Sequence, residues 1–135
     1  MGKKFQLDIF TPKGKYFSEE VDYLEVRNAD SVLGILANHT PLISTIKLGP
    51  IKIKFNGKTR IYATTGGLLN IKKDHTVSLM LNTIERGDEI DIERAKRSKA
   101  RAEKHLQEAD ADKARASASL ERANNRIAVA EEDKK

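Results

Sequence analysis

Arginine is the side chain with most to offer chemically in this sequence. It gathers toward the C-terminus, with Arg94, Arg97 and Arg101 in one segment and Arg115, Arg122 and Arg126 in the next. A guanidinium presents a rigid fork of donors, so several that converge can hold a polyphosphate through paired, charge-assisted hydrogen bonds. Arg115, Arg122 and Arg126 recur at helical spacing beside a stripe of alanines, which sets them along the seam between two helices. Arg94, Arg97, Arg101 and Lys104 fall opposite the apolar stripe of their own segment, and a solvated face accounts for that pattern more simply than a ligand does. Nucleic acid fits less well than either. Glu93, Glu103 and Glu108 interrupt the basic run, and every Phe and Tyr lies at or before Tyr62, so no stacking aromatics are interleaved.

Other chemistries are poorly supplied. The absence of cysteine excludes a disulfide framework, a thiolate zinc site and a cysteine nucleophile. His39, His75 and His105 are scattered, which speaks against a histidine metal cluster. His39 lies in GILANHTPLIST, where Pro41 biases Thr40 toward an extended or turn conformation, so Asn38 to Pro41 reads as a loop. No orienting carboxylate or nucleophile is locatable near it, and a structural loop or docking edge is the better reading. Thr64-Thr65-Gly66-Gly67 lacks the glycine spacing and the lysine of a P-loop and reads as a turn. The expectation is a protein that is not itself an enzyme.

The elements that must position these residues follow two grammars. A chain of 135 residues, 39% hydrophobic with a formal charge of +5, suits one modest core with an appendage. No apolar run approaches the roughly 20 residues that span a bilayer, and the start MGKKFQLD is neither a signal nor a transit peptide, so a cytoplasmic protein is expected. All eight glycines and all three prolines lie at or before Gly87. Before that point apolar residues alternate, as in Phe5, Leu7 and Ile9, in Ile51, Ile53 and Phe55, and in Val77, Leu79 and Leu81. Turn signals separate them at Pro12-Lys13-Gly14, Gly49-Pro50, Asn56-Gly57, Gly66-Gly67 and Lys73-Asp74. Asn56-Gly57 is the strongest, because a type I′ hairpin turn needs positive φ at both positions. Many short strands predict a small antiparallel sandwich or barrel.

After Gly87 the period becomes helical. Ile92, Ala95, Lys99, Ala102, Leu106 and Ala109 form one stripe, and Ala116, Leu120, Ala123, Ile127 and Ala130 another. Asp88 or Asp91 can cap the first helix and Asp110 or Asp112 the second, with a turn near Ala109 to Lys113 folding them into an antiparallel hairpin. One long helix through EADADKA is the alternative. Alanine buries little apolar surface, so the seam is expected to be weak enough to let go, against the option of a close, stable packing.

LGILANHTPLI, then TTGGLLNIKK, then ERGDEIDIERAKRSKARAE opening an Ala-rich tail resembles, over essentially the whole chain, the epsilon subunit of bacterial F-type ATP synthase. The resemblance implies a flattened antiparallel β-sandwich over residues 1–87 and a two-helix hairpin, the regulatory tail, over 88–135. It implies a non-catalytic subunit of the rotating central stalk, peripheral on the cytoplasmic face of the cell membrane and touching the membrane only through the complex. The gamma subunit and the c-ring would be its partners, with the alpha and beta subunits reached when the tail extends to inhibit ATP hydrolysis. Some members carry an ATP-binding motif Ile/Leu-Asp-x-x-Arg-Ala, which Ile90, Asp91, Arg94 and Ala95 match here. Glu85, Arg101, Arg122 and Arg126 stand where those members help hold the nucleotide, so ATP is the implied regulatory ligand, with no cofactor required. Ser31, Val32 and His39 fall in the loop Asn28 to His39, which the resemblance turns toward the c-ring. Val32 and Ala37-Asn38 depart from the acidic residue and the Pro-Gly frequent there in the family. Read from the residues alone, a free ATP-binding sensor and a basic nucleic-acid adaptor stay open.

Overall fold

The computed structural model describes residues 3–108 and 112–133. Strands β1 (Phe5–Thr11), β2 (Gly14–Val21), β9 (Val77–Leu81), β8 (Gly67–Ile71) and β5 (Leu42–Ile46) make one sheet in the order β2-β1-β9-β8-β5. The second, in the order β10-β7-β6-β3-β4, contains β10 (Ile84–Arg86), β7 (Lys58–Thr64), β6 (Gly49–Phe55), β3 (Tyr23–Arg27) and β4 (Val32–Ile35). Pairing is antiparallel throughout except between β1 and β9, which run parallel with Leu7 opposite Val77. The N-terminal region is therefore a sandwich, one of the two architectures its alternation allows, with Leu7, Ile9, Leu24, Ile51, Ile53 and Leu79 fully enclosed between the sheets.

The turns follow backbone chemistry with one exception. Asn56 and Gly57 take φ of 51° and 73° between β6 and β7, as a type I′ turn demands. Gly66 stands at φ 119°, and the following Gly67 lets the backbone of β8 approach the Met80 carbonyl of β9 more closely than a side chain would permit. Gly49-Pro50, expected as a turn, instead opens β6, with Gly49 opposite Thr64 and Pro50 opposite Ala63. A proline at the start of a strand loses little, since its missing N–H falls where the ladder begins.

Two helices follow a 3-10 turn at Gly87–Glu89: α1 (Ile92–Gln107) and α2 (Lys113–Asp133). Asp91 caps α1 by accepting from the Arg94 amide at 3.0 Å, and Asp112 caps α2 by accepting from the Arg115 amide at 3.1 Å. The tail is thus a hairpin and not one long helix. Ala109 and the alternative cap Asp110, with most of the expected turn, lie outside the described residues. Ala95 and Ala102 of α1 and Ala116 and Ala123 of α2 are buried in the seam, so the alanine stripes do bring the two helices together.

Helix α2 has a second buried face. Val129, which lies off the alanine stripe, is 1% exposed and joins Ala130, Ile61 and Ala63 of β7, and Ile90 in a small apolar cluster separate from the sandwich core. Ile127, on the expected stripe, is only half-buried. The difference arises because α2 is packed from two sides, by α1 and by the outer surface of β6 and β7.

Candidate functional site

Where the hairpin lies against the end of the sandwich, the two helices and the sheet edge leave a cleft of about 1220 Å³. Helix α1 lines it with Ser98, Arg101 and His105, and α2 with Arg115, Ser119, Arg122 and Arg126. The opposite wall comes from Thr64 and Thr65, from Asn82 to Glu85, and from the β1–β2 turn with Lys13. Helical spacing explains the alignment on α2, because residues 115, 119, 122 and 126 are separated by four, three and four and so share one face.

Contacts at the inner end join tail to sandwich. Arg126 donates from Nε to Glu85 Oε1 at 2.8 Å and from Nη2 to Glu85 Oε2 at 3.0 Å, a forked pair in which both partners remain partly exposed. The neighbouring Asn125 donates its side-chain amide to the carbonyls of Gly49 at 3.1 Å and Thr64 at 3.3 Å, residues that face each other across β6 and β7. Asp133 accepts from the Ile61 amide at 3.3 Å, where β7 extends past the end of β10, and its Cβ would lie 2.6 Å from a Cβ placed on Gly87. Glycine at position 87 therefore admits the end of α2. Farther along the cleft, Arg122 Nη2 donates to Ser119 Oγ at 3.0 Å.

The expected site residues divide. Glu85, Arg101, Arg122 and Arg126 come together around the cleft. Arg101, assigned by its helical position to the solvated face, lines the cleft through the flank of α1 next to buried Ala102. Ile90 is buried in the apolar cluster, Asp91 is engaged as the α1 cap, Ala95 is 0% exposed in the seam, and exposed Arg94 does not line the cleft. Residue types alone did not single out Ser98, Ser119, His105 and Lys13, which carry no motif of their own. Among the described residues no group of three or more His, Asp or Glu is placed to hold a metal. The cleft offers guanidinium and hydroxyl donors, groups that suit an anion.

Between β3 and β4, Asn28 Oδ1 accepts from the amides of Asp30 at 3.0 Å and Ser31 at 2.7 Å, which shapes that loop. Val32 begins that edge strand with its side chain exposed. His39 Nδ1 donates to the Thr40 carbonyl at 2.8 Å, and the His75 ring donates to the His39 carbonyl at 3.3 Å, while Asn38 takes φ 64°. No helix among the described residues is long and apolar enough to cross a membrane.

Residues 4–87 match the family described as ATP synthase, Delta/Epsilon chain, beta-sandwich domain, and residues 88–131 match its long alpha-helix domain. The chain belongs to the ATP synthase delta/epsilon family. It is 41% identical over 133 residues to the ATP synthase epsilon chain of Desulforamulus reducens, covering 97% of this chain and 100% of that one. The ATP synthase epsilon chain of Bacillus pumilus is 36% identical over 129 residues, covering 95% of this chain and 98% of its own. Among solved structures, a chain of the Euglena gracilis mitochondrial ATP synthase superposes with a TM-score of 0.84 at 20% identity, covering 93% of this chain and 80% of that one. One from the central stalk and c-ring of the Tetrahymena thermophila enzyme gives 0.70 at 15%, covering 96% and 98%. At those identities the two structures share the fold of this family member.

Proposed function

We propose that this protein is a non-catalytic rotor subunit of an F-type ATP synthase, joining the gamma subunit to the c-ring, with ATP regulating its tail. The sandwich of residues 1–87 serves as the anchor, and the segment Asn28 to His39, with Ser31, Val32 and His39 on either side of and within β4, faces the c-ring. Residues 88–135 form the regulatory element. When extended, the tail reaches the alpha and beta subunits and inhibits ATP hydrolysis; when folded down, it leaves them free. The complex places the protein peripherally on the cytoplasmic face of the membrane.

The observation that carries this reading is the cleft shared by both helices and β10. Arginines from α1 and α2 come within reach of one ligand only while the helices lie side by side, so an anion held there binds the folded-down tail and not the extended one. A ligand shifts a conformational balance by its differential affinity, and ATP in the cleft therefore opposes extension. Glu85, Arg101, Arg122 and Arg126 hold the nucleotide, while Ile90, Asp91 and Ala95 act by fixing the start of α1, from which Arg94 projects.

Calorimetric titration of the isolated protein with ATP tests the site. Replacing Arg122 or Arg126 by Ala removes charge-assisted bonds of roughly 1.5 to 3 kcal/mol and should weaken binding by about one to two orders of magnitude. Hydrolysis by the assembled enzyme, measured with full-length and tail-truncated protein over a range of ATP concentrations, tests inhibition. Equal rates at every concentration would remove the regulatory role.

A further inference from the structure

We propose that His75 is a positioning residue for the segment Asn28 to His39: its imidazole holds the His39 carbonyl and so sets which ring nitrogen His39 leaves free for a partner. The inference rests on the reading above in which that segment faces the c-ring, and it brings in a residue from a separate hairpin. Leu42 opens β5 opposite Ile71, the last residue of β8, so the link that leads from β4 into β5 runs beside the turn that leaves β8. That turn is closed by its own bonds. The Lys72 amide donates to the Thr76 carbonyl and the His75 amide to the Lys72 carbonyl, both at 2.9 Å. Asp74 Oδ1 accepts from the Thr76 amide at 3.1 Å and from Thr76 Oγ1 at 2.7 Å. His75 stands in it at φ 70°, a conformation that glycine adopts without a Cβ penalty, so the turn itself has no need of an imidazole.

The imidazole is used across the gap instead. Its Nδ1 donates to the His39 carbonyl at 3.3 Å, and among the described residues this is the one side-chain hydrogen bond that ties residues 36–41 to another segment. Its consequence appears at the next peptide. Holding the His39 carbonyl orients the His39–Thr40 peptide, and the Thr40 carbonyl then accepts from His39 Nδ1 at 2.8 Å. A neutral imidazole carries one N–H, so a donor at Nδ1 leaves Nε2 as an acceptor. His75 acts on that ring through the backbone. A partner that meets His39 finds an acceptor already fixed in place, because the closed β8–β9 turn supplies the order before binding and not during it.

The test uses the full-length protein with isotope-labelled histidine, as wild type, His75→Gly and His75→Asn. Glycine keeps the positive φ and removes the donor, whereas asparagine also visits positive φ and offers an amide N–H in place of Nδ1. His75 is exposed, and circular dichroism checks that both variants keep the fold. At about pH 8.5, where an ordinary imidazole is neutral, the ring-nitrogen shifts of His39 in NMR should report a proton on Nδ1 in wild type and His75→Asn, and a move toward the Nε2–H tautomer in His75→Gly. Affinity for a purified complex of gamma subunit and c-ring should fall about fivefold in His75→Gly, the scale of one neutral hydrogen bond, and return in His75→Asn. An unchanged His39 tautomer in His75→Gly overturns the proposal. It also falls if His75→Asn loses as much affinity as His75→Gly, or if the tautomer moves and affinity does not. If His39→Ala binds the complex as wild type does, the c-ring reading of the segment fails, and the role of His75 toward that partner fails with it even where the tautomer responds.

Discussion

Arg126 of α2 and Glu85 of β10 meet fork to fork, at 2.8 Å and 3.0 Å, and so tie the tail to the edge of the sandwich. Their side chains keep 27% and 41% of their surface exposed, so water screens the attraction and limits what the pair contributes to stability. A double-mutant cycle with Glu85→Ala and Arg126→Ala, followed by urea unfolding, should give a coupling of about 1 kcal/mol or less. A markedly larger coupling would mean that this one contact holds the tail down.

The apolar contact should matter more. Val129 is 1% exposed among Ile61, Ala63, Ile90 and Ala130, and an aspartate there would bury a charge without a partner. Val129→Asp should cost about 3 kcal/mol or more if the helix stays docked, so the helix should leave instead. Hydrogen exchange is expected to accelerate over α2 while the sandwich amides keep their protection. Unchanged protection across α2 would show that the docking does not depend on this cluster.

A fragment of residues 1–87 should fold alone. The main core, which includes Leu7, Leu24, Ile53 and Leu79, contains no residue of the tail. Cooperative thermal unfolding of the fragment, with a β-type circular dichroism spectrum, is the expected outcome. A spectrum of unstructured chain would show that α2 completes the sandwich instead of resting on it.

Alkaline stability should report the interior near Tyr62. Burial pushes this phenol up to about 12, and Tyr16 stacks edge-on against it with ring centroids 6.2 Å apart. Unfolded chain loses the phenolic proton near pH 10, so below that value both states are neutral and Tyr62 adds no pH dependence. As pH rises from about 10 through about 12, the unfolded state ionises first and stability is lost. Tyr62→Phe should flatten the fall of the urea midpoint over that window, and an identical profile for both proteins would argue against Tyr62 as its source.

Local chemistry was legible in the sequence wherever one or two residues decide a conformation. Asn56-Gly57 carried its turn because both positions need positive φ, and the α1 cap was narrowed to Asp88 or Asp91, of which Asp91 reaches the next turn of the helix. Alternation showed which side of β1, β6 and β9 faces inward but not which strand lies beside it, so the parallel pairing of β1 with β9 had no signal. The second face of α2 was hidden for a related reason. Val129, Asn125 and Asp133 find their partners on β6 and β7, remote in sequence, and a single helical stripe accounts for only one packed side. Arg122 and Arg126 stood out by spacing, whereas Glu85, an ordinary acidic residue in its local sequence, was picked out only by resemblance.

The parallel pair also bears on how the chain is made. Strand β1 lies between β2 and β9, so one side of the first strand synthesised waits for a partner that leaves the ribosome near the end of the sandwich. The early β1–β2 hairpin cannot complete its sheet until residue 81 has emerged, and this pairing of distant segments slows folding in the way non-local topology does generally. The tail emerges after that strand. Helix α2 then finds Ile61, Ala63 and the carbonyls of Gly49 and Thr64 on strands already presented to the translation product, so the sandwich acts as the template on which the last-made segment settles.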